Sequence, residues 1–562
     1  MPKSSTPSFI CEFALEESSS GGFGMIDKVE DHARRLYNAL LGEYVRRVRA
    51  MKSSPDWKTA RTIKKGSQAR SDAFEAARLL RDLTPGHMQA YASVLRKGSK
   101  DFELFIGSHV AQQIATRAWQ AVEKLLFGKA KRVRFKRKGE FFSFEGKDNL
   151  QILRLLGVEE GSPYVVLHQQ RFRLKFDSEN NHHVHALGSR VKYVRIIKRR
   201  IGEETRYFAQ GILEGLPYND QVKQAKARLR VQKLLGKEVF KKAENIPIDM
   251  REVIAYDVGP KHIAVSTPIH SFKRPLAPGI KNKATESRRT QRAMNRSRRA
   301  NNPNNFNENG TAKKGKREWV KSNNYLHLQR RLGDTKRRQA EQRKTEHGTL
   351  ANEMLTLGTT IKTEAISAVA LQKRYGKSVG IHAPGSFKAM LSRKAANARG
   401  RVEDVNTYQT CLSQMCLCGA RKKKPLRQRE HKCSECGLGI NAKIDRDEFS
   451  AFLALYTHNV ETGNKRKKKV TSRLVLEDAR RDASGHLNLP LVAPSVTHNQ
   501  DQTDTAHAKS GVRRANRKER NPRGLGQKER EDCPRTTSAS KRTGKRAIPE
   551  FQESPASKVE RP

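Results

Sequence analysis

The chain has 562 residues, with 113 Lys and Arg against 58 Asp and Glu, a formal net charge of +55. Charge of this size, spread along nearly the whole length, points to a polyanion partner, and nucleic acid fits better than a membrane surface because no run of eighteen apolar residues occurs. Five of the seven cysteines fall in one short window, which excludes a disulfide framework spread through a secreted domain and implies a reducing, intracellular setting.

The length allows three or four domains. The first residues, MPKSSTPSFICEFALEESSSGG, lack the charged head, apolar core and cleavage site of a signal peptide. Residues 7–15 read as a single strand. Ile26, Val29, Ala33, Leu36, Leu40, Tyr44 and Val48 then recur at helical spacing, and further helices are predicted near 72–83, 87–97 and 108–127. Val110, Ile114, Ala118, Val122 and Leu126 form the apolar stripe of the last. From about residue 130 the period changes to two: KRVRFKRKGEFFSFEG, SPYVVLHQQRFRLKF and VKYVRIIKRRIGEETRYFAQGILEG read as strands, the last a hairpin. Arg and Lys interleaved with Phe and Tyr on such a sheet suit contact with nucleic acid.

VIAYDVGPKHIAVS at 253–266 reads as two apolar strands around Asp257 and Gly259, the opening of an α/β domain. Two basic helices follow, 286–299 and 326–345, around a polar loop at 300–318. The strand TTIKTEAIS carries Glu364, residues 386–400 form another basic helix, and RVEDVN is a strand. Next come Cys416 and Cys418, then Cys433 and Cys436, each pair followed directly by glycine, at Gly419 and Gly437. Thiolates carried on two tight turns converge on one zinc ion, and four of them close its coordination sphere, so the ribbon holds fold and performs no chemistry. Lys422, Lys423 and Lys424 at its tip are placed to help load a substrate strand. Asp445 and Asp447 precede an apolar helix, where either serves as an N-cap or as a ligand. Beyond about 456 the chain is rich in charged and polar residues and poor in aromatics, and disorder is expected for 457–562.

Asp257 in AYDVGPKHIAVS, Glu364 in IKTEAIS and Asp447 in CSECGLGINAKIDRDEFSAFLA resemble the three RuvC motifs of OrfB/TnpB proteins encoded by insertion sequences, which compact type V CRISPR effectors resemble too. The resemblance covers about residues 7–455. It implies a multidomain α/β protein: an N-terminal strand of the wedge domain (1–20), a helical recognition domain (21–129), a β-barrel-like wedge domain (130–250), an RNase H-like RuvC nuclease domain with a basic helical insert (251–410), a zinc ribbon (411–440), the last RuvC helix (441–456) and a disordered basic tail (457–562). It further implies an RNA-guided DNA endonuclease of the cytoplasm, associated with the nucleoid, with Asp257, Glu364 and Asp447 holding Mg2+ or Mn2+ and Cys416, Cys418, Cys433 and Cys436 holding Zn2+. Its partners are then a guide RNA and double-stranded target DNA with a short adjacent motif, without a membrane; monomer and homodimer both stay open. The alternatives are a compact CRISPR effector, a guide-dependent binding protein with little cleavage, and a transposase acting in DNA recombination. Three departures stand out. The first cysteine pair is C-x-C in place of C-x-x-C, which leaves Cys411 as a possible substitute ligand. Phe449 stands where relatives often carry Asn, and Ala365-Ile366 follows Glu364 where many have Asp-Leu. Asp445 remains an alternative third acid.

Overall fold

The computed structural model describes residues 6–16, 22–157, 161–239, 253–315, 317–365, 367–425, 427–462 and 469–486. The expected disordered stretch from 487 onward lies outside these residues. Among the described residues no helix is long and apolar enough to cross a membrane.

In the N-terminal half the helical stripes bury the residues that their spacing predicts. Gly24–Ser53 buries Ile26, Val29, Ala33, Leu36, Leu40, Tyr44 and Val48, and Ser108–Leu126 buries Val110, Ile114, Ala118, Val122 and Leu126. Between them, Gln68–Leu79 and Pro85–Lys97 start at hydroxyl caps: Ser67 accepts from the Arg70 N–H, and Thr84 from that of His87. Seven strands follow the order β2-β6-β7-β1-β5-β4-β3. They are β1 (Ser8–Glu16), β2 (Ser143–Glu145), β3 (Leu153–Leu156), β4 (Tyr164–Leu167), β5 (Gln170–Leu174), β6 (Val191–Ile201) and β7 (Glu204–Glu214). Because β3 returns to lie against β6, the sheet is a nearly closed barrel. Phe13 of β1, Phe172 of β5 and Ile196 of β6 share one core with Leu36, Tyr44 and Ile114 of the helices. The helical and β regions, expected as separate domains, therefore fold around a common interior.

Two strand expectations need correction here. KRVRFKRKGEFFSFEG supplies only β2, because Lys136 exchanges both backbone bonds with the Asn38 side chain, at 2.8 and 2.7 Å, and not with a strand. SPYVVLHQQRFRLKF is the hairpin β4–β5: His168 adopts a φ of +55° and turns the chain between Leu167 and Gln170.

The C-terminal half is built on a sheet of order β10-β9-β8-β11-β12. Its strands are β8 (Val253–Val258), β9 (His262–Ser266), β10 (Ser271–Pro275), β11 (Thr360–Glu364) and β12 (Arg401–Val405). β8, β9 and β10 run antiparallel to their neighbours, whereas β8, β11 and β12 are parallel. Ile254, Tyr256, Val265 and Ile361 pack on Leu350 and Met354 of the helix Asn323–Leu357 and on Phe387 and Leu391 of Pro384–Asn397. On the opposite face Ala255 packs on Phe449, Phe452 and Leu453 of the helix Arg446–Leu455. Lys362, buried on that face beside Ala255, donates to the Leu455 carbonyl at 2.7 Å and so neutralises the negative end of this helix.

The insert between β10 and β11 opens with the helix Ala284–Ala300, which carries six arginines and buries no residue. The expected polar loop after it is folded: Arg298 lies over the rings of Phe306 and Trp319, and Asn302 pairs with both backbone groups of Val320. A helix at Ala368–His382 was not predicted. Disorder from 457 onward is also corrected, since β13 (Thr457–Thr462) and β14 (Lys469–Leu474) form a hairpin and Leu476–His486 is helical. Ala479 and Ala483 are buried in the core beneath the helix Arg446–Leu455, and Tyr456 donates to Asp482 at 2.9 Å. Small apolar residues suffice there because the partner surface is already apolar, a fact that composition alone does not carry.

His347 is buried against Phe387 and shares a 3.0 Å hydrogen bond with the His382 carbonyl, and burial lowers its pKa to about 4. The unfolded chain therefore binds the proton more readily, so the contribution is complete above about pH 6.5 and is lost as pH falls toward 4. We expect His347→Gln, which keeps a donor but does not titrate, to flatten the fall in unfolding free energy between pH 6.5 and 4 by up to about 3 kcal/mol, read from denaturant melts at each pH.

Candidate metal-binding active site

The strand register assembles the site. The parallel pairing that sets Thr363 beside Tyr256 continues one step to set Glu364, the last residue of β11, beside Asp257. Asp257 in turn pairs with Ala264, and Ala264 with Lys273. One row across four strands thus reads Lys273, Ala264, Asp257, Glu364, all on the face covered by the helix Arg446–Leu455. Asp447 sits in the first turn of that helix, and Asp445 is its N-cap, accepting from the N–H groups of Asp447 and Glu448 at 2.8 and 3.1 Å.

Burial, followed by the charges of Glu364 and Asp447, pushes Asp257 well above the ordinary carboxylate range, and Arg446 and Lys273 offset only part of this. Glu364 is raised to about 7 by burial, and its Oε1 is buried without a hydrogen-bond partner. Lys273, absent from the sequence reading, is bound to Asp447 at 2.6 Å and to Asp445 at 2.9 and 3.1 Å. Burial works against its charge, but these bonds raise its pKa. Buried carboxylates with an orphaned oxygen are hard ligands of the kind a magnesium or manganese ion takes, although among the described residues only the four cysteines bring three or more ligand atoms within 4.8 Å of one another.

The four predicted cysteines also meet. Cys416, Cys418, Cys433 and Cys436 bring their sulfurs within 4.8 Å of one another, with Cys416–Cys436 at 3.6 Å and Cys418–Cys433 at 3.7 Å. Four sulfurs about 2.3 Å from one tetrahedral centre stand about 3.8 Å apart, so the cluster fits zinc. Gly419 and Gly437 take φ values of +95° and +72°, which the two turns require. Cys411, the alternative ligand, lies outside the cluster, with its sulfur on the Tyr408 carbonyl at 3.4 Å. Arg480, in the segment expected to be disordered, donates at 2.6 Å to the carbonyl of Leu417, the residue inside the shortened C-x-C pair.

His431 joins this cluster to the helix. Lys424 Nζ lies 2.6 Å from its Nδ1, and an ammonium only donates; Nε2 therefore carries the proton and points it at Cys416 Sγ, 3.4 Å away. The His431 ring packs 4.0 Å from that of Phe449, which explains an aromatic residue at the position where Asn was expected. Lys424 accordingly faces inward, whereas Lys422, which reaches the Ser434 hydroxyl at 3.4 Å, and Lys423 stay exposed at the tip. Only the spacing of Lys273 on its strand hinted at its place; nothing local marked His431 or Arg480.

Residues 385–452 match the family model for the Cas12f1-like TNB domain, a segment running from the helix Pro384–Asn397 through the cysteine cluster into the helix Arg446–Leu455. No curated protein matches the chain. Among solved structures, the cryo-EM structure of a Cas12f1–sgRNA–target DNA complex is similar at 10% identity and a TM-score of 0.35, over 80% of this chain and 98% of that one. The cryo-EM structure of a CRISPR–Cas12f ternary complex is similar at 12% identity and a TM-score of 0.24, over 80% and 82%. Scores this low do not define a shared arrangement of the whole chain.

The geometry separates Cys418 from Cys411 as ligand. Purified protein is expected to carry about one zinc ion per chain by atomic emission. Cys411→Ser should retain it, whereas Cys418→Ser should lose most of it and melt at lower temperature.

Proposed function

We propose that the chain is an RNA-guided DNA endonuclease of the TnpB type, cutting phosphodiester bonds in a RuvC-like site. What supports this reading is the register that sets Glu364 beside Asp257, with the charge of Asp447 on the covering helix acting on Asp257, in a sheet of three antiparallel and then two parallel strands, the order of an RNase H-like domain. Asp257 and Glu364 would hold the divalent ions from the sheet, and Asp447 from the helix start. When bound, such ions supply an activated water and stabilise the leaving oxygen of the phosphodiester. The helix Arg446–Leu455 adds its positive N-terminal end to the same place, and Lys273 and Arg429 bring cations to Asp447, the latter at 3.8 Å.

The nucleic-acid surface follows from charge without a core. Ala284–Ala300 exposes five of its six arginines, Arg298 being packed on Phe306 and Trp319, and the first turns of Asn323–Leu357 extend the basic surface. Such a surface suits a guide–target heteroduplex gripped through its phosphates, with base pairing reading sequence and the protein reading only a short adjacent DNA motif. The zinc ribbon is structural, a closed set of thiolates that braces the helix bearing Asp447. A second reading, a compact type V CRISPR effector, is favoured by the match of residues 385–452 to the Cas12f1-like TNB domain.

RNA retained through a high-salt purification decides between the two when sequenced. One defined RNA ending in sequence that flanks the gene's own element supports the TnpB type, and a repeat–spacer RNA supports the CRISPR effector. Random fragments that wash off with salt would sink both. With the guide in hand, Asp257→Ala and Asp447→Ala are each expected to lower target cleavage by about three orders of magnitude or more while guide and target binding persist. Cleavage that survives Asp257→Ala would remove the carboxylate assignment.

A further inference from the structure

The carboxylate site is divided into two unequal halves. On one side, Asp257 and Glu364 lie in register with little compensating charge, and Glu364 Oε1 is buried and unpartnered. On the other, Asp447 already has a cation: Lys273 Nζ lies 2.6 Å from its Oδ2, closer than Arg446 at 3.6 Å or Arg429 at 3.8 Å. Lys273 reaches it from β10, two strands along the row from Asp257, with the buried Ala264 between them.

Asp445 completes the arrangement. Its bonds from the Asp447 and Glu448 N–H groups fix it at the helix start, and both its oxygens lie within 3.1 Å of Lys273 Nζ. Lys273 therefore has a second, stationary anion to stay on if it releases Asp447. A lysine held only by Asp447 would have to leave into solvent; this one has only to pivot.

We propose that Lys273 is a built-in counter-ion that competes with a divalent metal for Asp447. Without nucleic acid the site then holds one ion firmly, between Asp257 and Glu364, and takes a second only when Nζ shifts wholly onto Asp445. This rests on the nuclease reading of the three acids and concerns a different property, the number of ions the resting site accepts. It makes Lys273 a positioning residue for Asp447. It also keeps a half-loaded, uncompetitive site in the free protein, where uncontrolled cutting has no guide to direct it.

Counting bound Mn2+ on the full, zinc-loaded, nucleic-acid-free chain, from the electron paramagnetic resonance signal of the free ion, tests this. Wild type is expected to bind one Mn2+ firmly and a second weakly. Lys273→Met should tighten the second ion about tenfold or more, while Lys273→Arg, which keeps the charge, should not. Asp445→Asn retains a good N-cap but removes the alternative anion, so its second ion should bind more weakly than in wild type. Melting curves identify any variant that fails to fold, and the Lys273 and Asp445 substitutions report independently. If neither moves the second ion while Asp257→Ala loses the first, Lys273 has no such role and the carboxylate site stands. If Asp257→Ala binds Mn2+ as wild type does, the carboxylates are not the metal site and both ideas fall.

Discussion

Three carboxylates gathered on one partly buried face repel one another, and the C-terminal half is arranged around that repulsion. Burial drives Asp257 and Glu364 toward protonation, the charges of Glu364 and Asp447 add to this at Asp257, and Arg446 and Lys273 offset part of it there. The helix Arg446–Leu455 brings its positive end to the carboxylates, and Lys362 satisfies its negative end at Leu455. Lys273 occupies the side of Asp447 that the helix end leaves open. The least compensated oxygen is left at Glu364, whose Oε1 is buried without a hydrogen-bond partner beside Asp257.

The cysteine cluster bears on the same constraint at one remove. Asp447 is useful only if its helix is held in place, and the ribbon holds it through Phe449 against His431, itself bonded to Cys416. The segment after the helix closes the arrangement from behind, with Arg480 on the Leu417 carbonyl and Ala479 and Ala483 beneath the helix. A cysteine pair one residue short, which from spacing alone casts doubt on a fourth ligand, thus receives its missing support from a distant guanidinium. Metal binding at the ribbon and geometry at the carboxylates are in this way mechanically linked.

Charge elsewhere is organised differently. The helix Ala284–Ala300 has no apolar face to bury, and its arginines are steadied by the helix Asn323–Leu357 and by rings such as Phe306 and Trp319. The folded tip between these helices pre-orders a surface that composition suggested would be loose. Ordering basic side chains before a polyanion arrives lowers the entropy lost on binding.

Periodicity made the long helices legible, because a stripe such as Ile26 to Val48 or Val110 to Leu126 has one way to bury itself. The two cysteine pairs were also legible by type and order, and their sulfurs meet; Asp257 and Glu364, expected together, lie side by side in the strand register. Local patterning failed where a partner distant in sequence chose the outcome. Asn38 took the backbone of Lys136 away from a strand, the φ of His168 folded one apparent strand into two, and an apolar surface already in place holds Ala479 and Ala483 of the segment expected to be disordered. The sequence by itself determined which residues are candidates for the chemistry, since hard carboxylates and thiolates are properties of residue type. Only the tertiary structure decided that Lys273 holds Asp447, that Cys418 and not Cys411 completes the cluster, and that Arg480 steadies it. Those are long-range contacts, set by strand register and helix packing, and no short-range pattern encodes them.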